Sequence, residues 1–282
     1  MREGNLMLNK KPVWKKALLY AVLILVSVVM LTPLIWMLSA SLKFDKDVFR
    51  IPIEWIPSNP AWSNYSRIWE QVPFLRFTFN TFKITLITTV IQVFTCSFAA
   101  YGFAKCKFRG RNTLFLIYVA TIAVPWQVYM LPQYTMMNAA HMVDTHAVLI
   151  LLHAFDAFGV FLLRQFCMGI PDELLEAARI DGLNEYGVYH RIVLPQMGPS
   201  IATLVIFTFV SNWNDFMGPM IYLNSTEKKT IQLGIRMFVG QYSTEYGLIM
   251  AASVVSLIPV VIVFLIFQKQ FVQGIATSGL KG

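Results

Sequence analysis

The sequence predicts an all-α polytopic membrane protein with six transmembrane helices and both termini on the cytoplasmic side. Three observations carry this. Hydrophobic residues fill 56% of the 282 positions and charged residues only 13%, where a soluble domain carries about 25% charge. Mean hydropathy is +0.58. The apolar residues also gather in runs of the length a bilayer crossing needs, about 20 residues.

The first span is read at Ala17–Ala40. It is too long for the apolar core of a signal peptide, about 7–15 residues, so it is read as uncleaved despite the small residues Ser39-Ala40-Ser41. The second holds the charge-free stretch Ile84–Ala104 and starts near Phe77. The third runs over Asn112–Leu131, ending near Pro132. The fourth covers Thr145–Phe166, interrupted by Asp156. The fifth covers Pro199–Ile221, with Asp215 late in it, and the sixth covers Tyr246–Phe267. No repeat and no soluble domain separates them, so residues 1–282 are read as one membrane domain.

Lys and Arg in the loops set the orientation. One side carries fourteen: Arg2, Lys10, Lys11, Lys15, Lys16, Lys105, Lys107, Arg109, Arg111, Arg164, Arg179, Arg191, Lys269 and Lys281. The other carries eight, in longer loops: Lys43, Lys46, Arg50, Arg67, Arg76, Lys228, Lys229 and Arg236. The first side is therefore cytoplasmic and includes residues 169–199. The net charge of +8 belongs to these loops; no basic stripe lies in a soluble segment, and nucleic acid is not an expected partner. Outside, residues 43–76 hold four prolines and three tryptophans, which predicts short interfacial helices and turns. The polar loop 222–246 is long enough to dip toward a pore or touch something outside.

Much enzyme chemistry is missing. There is no GxxxxGK[ST] phosphate loop, so the chain is not expected to hold ATP. There is no HExxH, GxSxG or paired-cysteine set, and Cys96, Cys106 and Cys167 stand alone. Ionisable groups inside spans are functional candidates because they are costly there. Asp156, one turn after His153, reads either as its partner in a proton path or as a structural contact between helices. Asn212, Trp213, Asn214 and Asp215 combine donors, acceptors and an indole, the mixture that binds sugars; the same stretch also reads as a packing and hinge element before Pro219. Gln127, beside Trp126 and Pro125, is a weaker candidate for the same path.

The most charged continuous stretch of the second half is Gly169–Pro199. Pro171 suits a first helical turn, and Asp172 and Glu173 suit the positive helix end. Gly182 suits a left-handed helix stop. Asn184 then caps a second helix running to about Val193, before Pro195 and Pro199. Ala177 and Ala178 are expected to leave one face smooth for close approach.

Here a specific resemblance enters. Glu176-Ala177-Ala178, three residues, Gly182, nine residues, then Ile192, Leu194 and Pro195 is similar to the EAA loop of ABC importer permeases. Asn80-Thr81, Asn212–Phe216 and the tail from Phe271 to Gly282 resemble the carbohydrate-uptake branch. The resemblance implies the ABC importer permease fold in a plasma membrane and a non-catalytic transport subunit. It implies a second homologous permease, two ATPase subunits that bind ATP and Mg, an extracytoplasmic sugar-binding protein and a carbohydrate substrate. Glu176, Ala177, Ala178, Asp181, Gly182, Ile192, Leu194 and Pro195 would form the ATPase-coupling surface, with Pro171–Leu183 as its helix and 271–282 along the same interface. The alternative is a self-sufficient proton-coupled transporter using His153 and Asp156; a missing inverted repeat and a missing pair of broken helices count against it.

Overall fold

The computed structural model describes residues 13–240 and 244–279, with only the helical path given for 271–279. Arg2, Lys10, Lys11 and Lys281 of the charge count, residues 241–243 of the last outer loop and the tail end 280–282 lie outside the described residues. In chain order the helices are α1 (Val13–Ser41), α2 (Asp45–Val48), α3 (Ser63–Gln71), α4 (Phe74–Lys105), α5 (Arg111–Ala120), α6 (Trp126–Ala139), α7 (His146–Leu152) and α8 (Ala157–Met168). Then follow α9 (Asp172–Ile180), α10 (Glu185–Val188), α11 (Leu194–Gln196), α12 (Gly198–Trp213), α13 (Met217–Tyr222), α14 (Ile231–Arg236) and α15 (Tyr246–Gly279).

Three of these, α1, α4 and α15, are long and apolar enough to cross a membrane unbroken. Counting each bent stretch once gives six spans: 111–123 with α6 at 100°, α7 with α8 at 43°, and α12, which the 185–196 stretch of the preceding loop meets at 78°. The third and fourth spans are therefore bent within their expected bounds, and the fifth is interrupted between α12 and α13. Pro125 lacks an amide hydrogen and forces Val124 to φ −85, ψ 111, so the third span turns at 124–125; Pro132 lies inside α6 instead of ending the span. The fourth span stops at His153 and restarts with Asp156 as N-cap, whose carboxylate accepts the Gly159 N–H at 2.6 Å. The fifth ends at Trp213, and α13 restarts under the Asp215 carboxylate, which accepts the Gly218 N–H at 3.1 Å. Broken spans are thus present, contrary to expectation. The outer loop 43–73 does hold short helices, α2 and α3, as its prolines and tryptophans predict.

The centre of the bundle is α4, which packs most on α8 and α12; α12 packs on α15, and α15 on α1. Gly159 makes the α4–α8 crossing close: a Cβ there would stand 2.9 Å from the Cys96 sulfur and 2.9 Å from Leu204 Cδ1, the small-residue contact typical of membrane helices. α1 keeps most of its apolar side chains exposed, which suits lipid. α4 instead buries Thr85, Thr88, Thr89 and Gln92, residues that share one helical face. The Thr85, Thr88 and Thr89 hydroxyls have no hydrogen-bond partner among the described residues.

Asn64 fixes the outer loop. Its buried amide donates to the Ser41 and Lys43 carbonyls, 2.9 Å each. Asn64→Leu is expected to lower stability by about 1–3 kcal/mol because two carbonyls lose a buried partner. Thr88→Val, which removes a hydroxyl that bonds nothing, should leave stability unchanged or raise it. Thermal unfolding of the purified protein in detergent separates the two.

Candidate functional site

At one end of the bundle stands the 169–197 loop. Pro171 takes the N-cap of α9, one position earlier than expected, and Asp172 and Glu173 open the helix. Lys105, at the end of α4, donates to the Asp172 carboxylate and to the Ile170 carbonyl, both at 2.6 Å. Its hydrogen bond and charge hold the Asp172 carboxyl below the usual carboxylate range. Leu175 and Ala178 face the bundle, while Glu176 and Ala177 face outward. The two alanines therefore do not share a smooth face: successive helical residues point about 100° apart, and Ala178 packs inward.

The helix stops as its glycine predicts. Gly182 sits at φ +86, its N–H bonds the Arg179 carbonyl at 3.0 Å, and the Leu183 N–H bonds the Ala178 carbonyl at 3.1 Å, the paired bonds of a Schellman stop. Asn184 caps α10 by accepting the Gly187 N–H at 2.9 Å. Glu185 accepts from Arg179 Nε at 2.8 Å and from its second terminal nitrogen at 3.3 Å, and the Tyr101 hydroxyl of α4 donates to the same carboxylate. Arg179 depresses the Glu185 carboxyl below its ordinary range. One more bond joins the loop to α4, between the Tyr189 and Ser97 hydroxyls at 2.7 Å. Helical structure continues past Val193 through a wide π turn, Tyr189–Val193, and α11, so Pro195 does not break it. Ile192 and Leu194 pack on the adjoining core, and Asp181, Gly182 and Pro195 are exposed.

Deeper in the bundle, the three breaks surround a cavity of about 340 Å³. Of the candidate path residues only Asp215 lines it. Trp213 is 1% exposed, stacks on Phe209 at 5.6 Å and donates its indole N–H to the Ser256 carbonyl at 2.9 Å, which makes it a packing residue of α12 against α15. The Asn212 and Asn214 amides donate to the Thr208 and Val210 carbonyls one turn back. Gln127 is exposed and does not line the cavity. Gln92, Trp126 and Gln133 line it instead. Trp126 Nε1 donates to Gln133 Oε1 at 2.9 Å, and Tyr222 donates to the same oxygen at 3.3 Å. The isolated polar Gln92 in an apolar run was the available signal.

His153 and Asp156 do not pair. His153 Nδ1 bonds the Leu149 carbonyl at 2.9 Å, and its Nε2 lies 4.0 Å from Asp215 Oδ2. Asp156 is occupied with its own helix cap. Among the described residues no His, Cys, Asp and Glu group could hold a metal ion.

The opposite end is organised by Asp144. Its carboxylate accepts the Asn224 and Ser225 N–H groups at 3.0 Å each, the Ser225 hydroxyl and, at 3.0 Å, Lys228 Nζ. The Ser225 bonds, then Lys228, hold its carboxyl well below the usual range. Asn80 donates to the Glu227 and Lys229 carbonyls at 2.8 and 3.0 Å, and Thr81 accepts the Ile231 N–H at 2.8 Å. The base of loop 222–246 is thus tied to α4 and to the turn before α7.

The family model for binding-protein-dependent transport system inner membrane components matches residues 92–277. The arabinooligosaccharides transport system permease protein of Bacillus subtilis (strain 168) is 32% identical over 261 residues, covering 92% of this chain and 93% of that protein. The sn-glycerol-3-phosphate transport system permease protein of Yersinia enterocolitica is 33% identical over 267 residues, covering 92% and 95%. The crystal structure of a bacterial ABC transporter involved in the import of the acidic polysaccharide alginate superimposes with a TM-score of 0.80 at 25% identity, covering 90% of this chain and 96% of that one.

The Asp144 attachment has a definite acid sign. A depressed folded-state pKa adds stability that is fully present above the ordinary value of about 3.9 and is lost as pH falls through the depressed one. Protection of the Asn224 and Ser225 amides, the exchange rate divided into the intrinsic rate at each pH, should therefore fall at acid pH. Asp144→Asn should show lower protection already at neutral pH, with the acid dependence gone.

Proposed function

The chain belongs to the binding-protein-dependent transport system inner membrane components, the permease subunits of ABC importers, and from that membership we propose its specific work. It forms half of a translocation path for a carbohydrate, an oligosaccharide or glycoside, in the plasma membrane. A second homologous permease forms the other half. Two ATPase subunits carry the ATP and Mg and do the hydrolysis; this chain binds neither. The 169–197 end faces the cytoplasm with both termini, consistent with the fourteen-to-eight excess of Lys and Arg on that side. Loops 43–73 and 222–246 face the sugar-binding protein.

The observation that carries this reading is the way α9 is held. It presents Glu176 and Ala177 outward, yet it is fastened to α4 at both ends, by Lys105–Asp172 and by Tyr101–Glu185–Arg179. A helix held in this way passes a push from a docked ATPase to the spans as a rigid body. Beside it, a groove of about 810 Å³ between α9 and residues 104–113 is lined by Lys107, Arg109, Glu176 and Arg179, charged groups suited to a polar partner surface. Transport follows if ATPase closure stabilises one access state of the pore more than the other. The proton-coupled alternative loses its relay, since Asp156 caps α8 and does not meet His153.

Glu176→Lys reverses the outward charge of α9, and Gly182→Pro cannot adopt φ +86. Both proteins should reach the membrane, while sugar uptake falls at least tenfold and ATP hydrolysis no longer responds to the loaded binding protein. Reconstituted proteoliposomes measure both. Wild-type coupling in both variants would contradict the role of α9, and uptake that persists with inactive ATPases would contradict ATP-driven import.

A further inference from the structure

We propose that the cavity at the three helix breaks is a binding subsite for one uncharged glycosyl residue, and that it makes this chain select neutral carbohydrates over anionic ones. The proposal rests on the carbohydrate-import reading and adds a direct contact between this chain and the solute.

The unused hydrogen-bonding groups define the ligand. Gln92 is 7% exposed and lines the cavity, and its side-chain amide has no partner among the described residues. The amide opens on the cavity and bonds no group of the described chain, so it is free to pair with a solute that enters. Gln133 spends its oxygen on Trp126 and Tyr222, which leaves both its N–H donors. Asp215 spends Oδ1 on Gly218 and keeps Oδ2, 4.0 Å from His153 Nε2. Asp156 spends Oδ2 on Gly159 and keeps Oδ1. The cavity therefore offers amide donors and carboxylate and amide acceptors within one space. Hydroxyl groups, each a donor and an acceptor, satisfy both kinds.

The 4.0 Å separation of His153 and Asp215 is too long for a direct hydrogen bond. It suits two neighbouring hydroxyls, one on each residue, as a vicinal diol presents them. Trp126 and Tyr129 add aromatic surface for the apolar face of a sugar ring. A volume of about 340 Å³ lies at the small end of ligand pockets, roughly 300–1,000 Å³, which fits one ring and not a chain of them.

Charge supplies the selection. Among the described residues no Lys or Arg lines the cavity, whereas two carboxylates do. A phosphate or carboxylate ligand brings acceptors only and a like charge, and like charges at close range in a low-dielectric site repel strongly. The curated relatives and the solved neighbour include systems for a neutral sugar chain, for glycerol phosphate and for an acidic polysaccharide. The cavity places this chain with the first.

Equilibrium dialysis of the full transporter in nanodiscs, against radiolabelled arabinotriose, lactose and glycerol 3-phosphate, tests the proposal. At least one neutral sugar should be retained and glycerol 3-phosphate should not. Gln92→Leu should weaken retention of that sugar at least tenfold. Because it removes an amide that bonds nothing in the chain, the variant should co-purify with its partners and unfold no earlier than wild type, so the loss cannot be assigned to misfolding. Asp215→Asn, which keeps an oxygen for the Gly218 N–H, should narrow the gap between glycerol 3-phosphate and the neutral sugar about tenfold. Retention of glycerol 3-phosphate as tight as that of the sugars, retention of none of the three, or wild-type retention by Gln92→Leu overturns the subsite. ATP dependence of uptake, measured separately, fails only if the import reading itself is wrong.

Discussion

Every structural feature of this protein answers to one constraint: backbone polar groups inside lipid must find partners within the chain. A straight helix meets it automatically, as α1 and α15 do. A break exposes amides that need a side chain, and the two acids within the spans sit at breaks for that reason. Asp156 takes the Gly159 N–H and Asp215 the Gly218 N–H, while Pro125 has no amide hydrogen to satisfy. These residues first hold the kinks open. The kinks then turn Trp126, His153 and Asp215 toward one space, so a folding requirement and a binding cavity come from the same residues.

The second consequence concerns α4. Of the three unbroken spans it is the most deeply buried, and it reaches both specialised ends. Lys105, Tyr101 and Ser97 grip the 169–197 loop; Asn80 and Thr81 grip the base of the 222–246 loop; Gln92 lies between them at the cavity. Its Thr85, Thr88 and Thr89 hydroxyls bond nothing among the described residues. An ordinary apolar core helix would carry leucines there. Displacement at one end of such a rod reaches the other without passing through a flexible segment.

Much of this was legible in the residues. Six apolar runs appear where the spans are, Gly182 adopts the left-handed turn its position suggests, and Asn184 caps α10. These signals are local, set by a residue and its near neighbours. What escaped depends on distance or on continuity. The fourth span reads as one helix because apolar residues flank 153–156 on both sides, and only the cap geometry reveals the break. Trp213 looked like a ligand group until Ser256, 43 residues away, supplied its acceptor. Asp144 carried no motif, since its partners lie about 80 residues on. Gln133 could not be preferred over Gln127 without knowing which way α6 turns after Pro125.

The lipid-exposed first helix bears on how the protein is made. Its principal partner is α15, the last helix of the described chain. During synthesis α1 therefore enters the bilayer long before the surface it packs on exists. Its 29 residues have no acid and no charge beyond Lys15 and Lys16, so it is stable in lipid alone, as stepwise insertion followed by association requires. The order of assembly follows: α4, α8 and α12 associate as the middle of the chain emerges, and α15 then joins the waiting α1 to them. A truncation before residue 246 leaves the first span inserted but without the helix it mainly packs on.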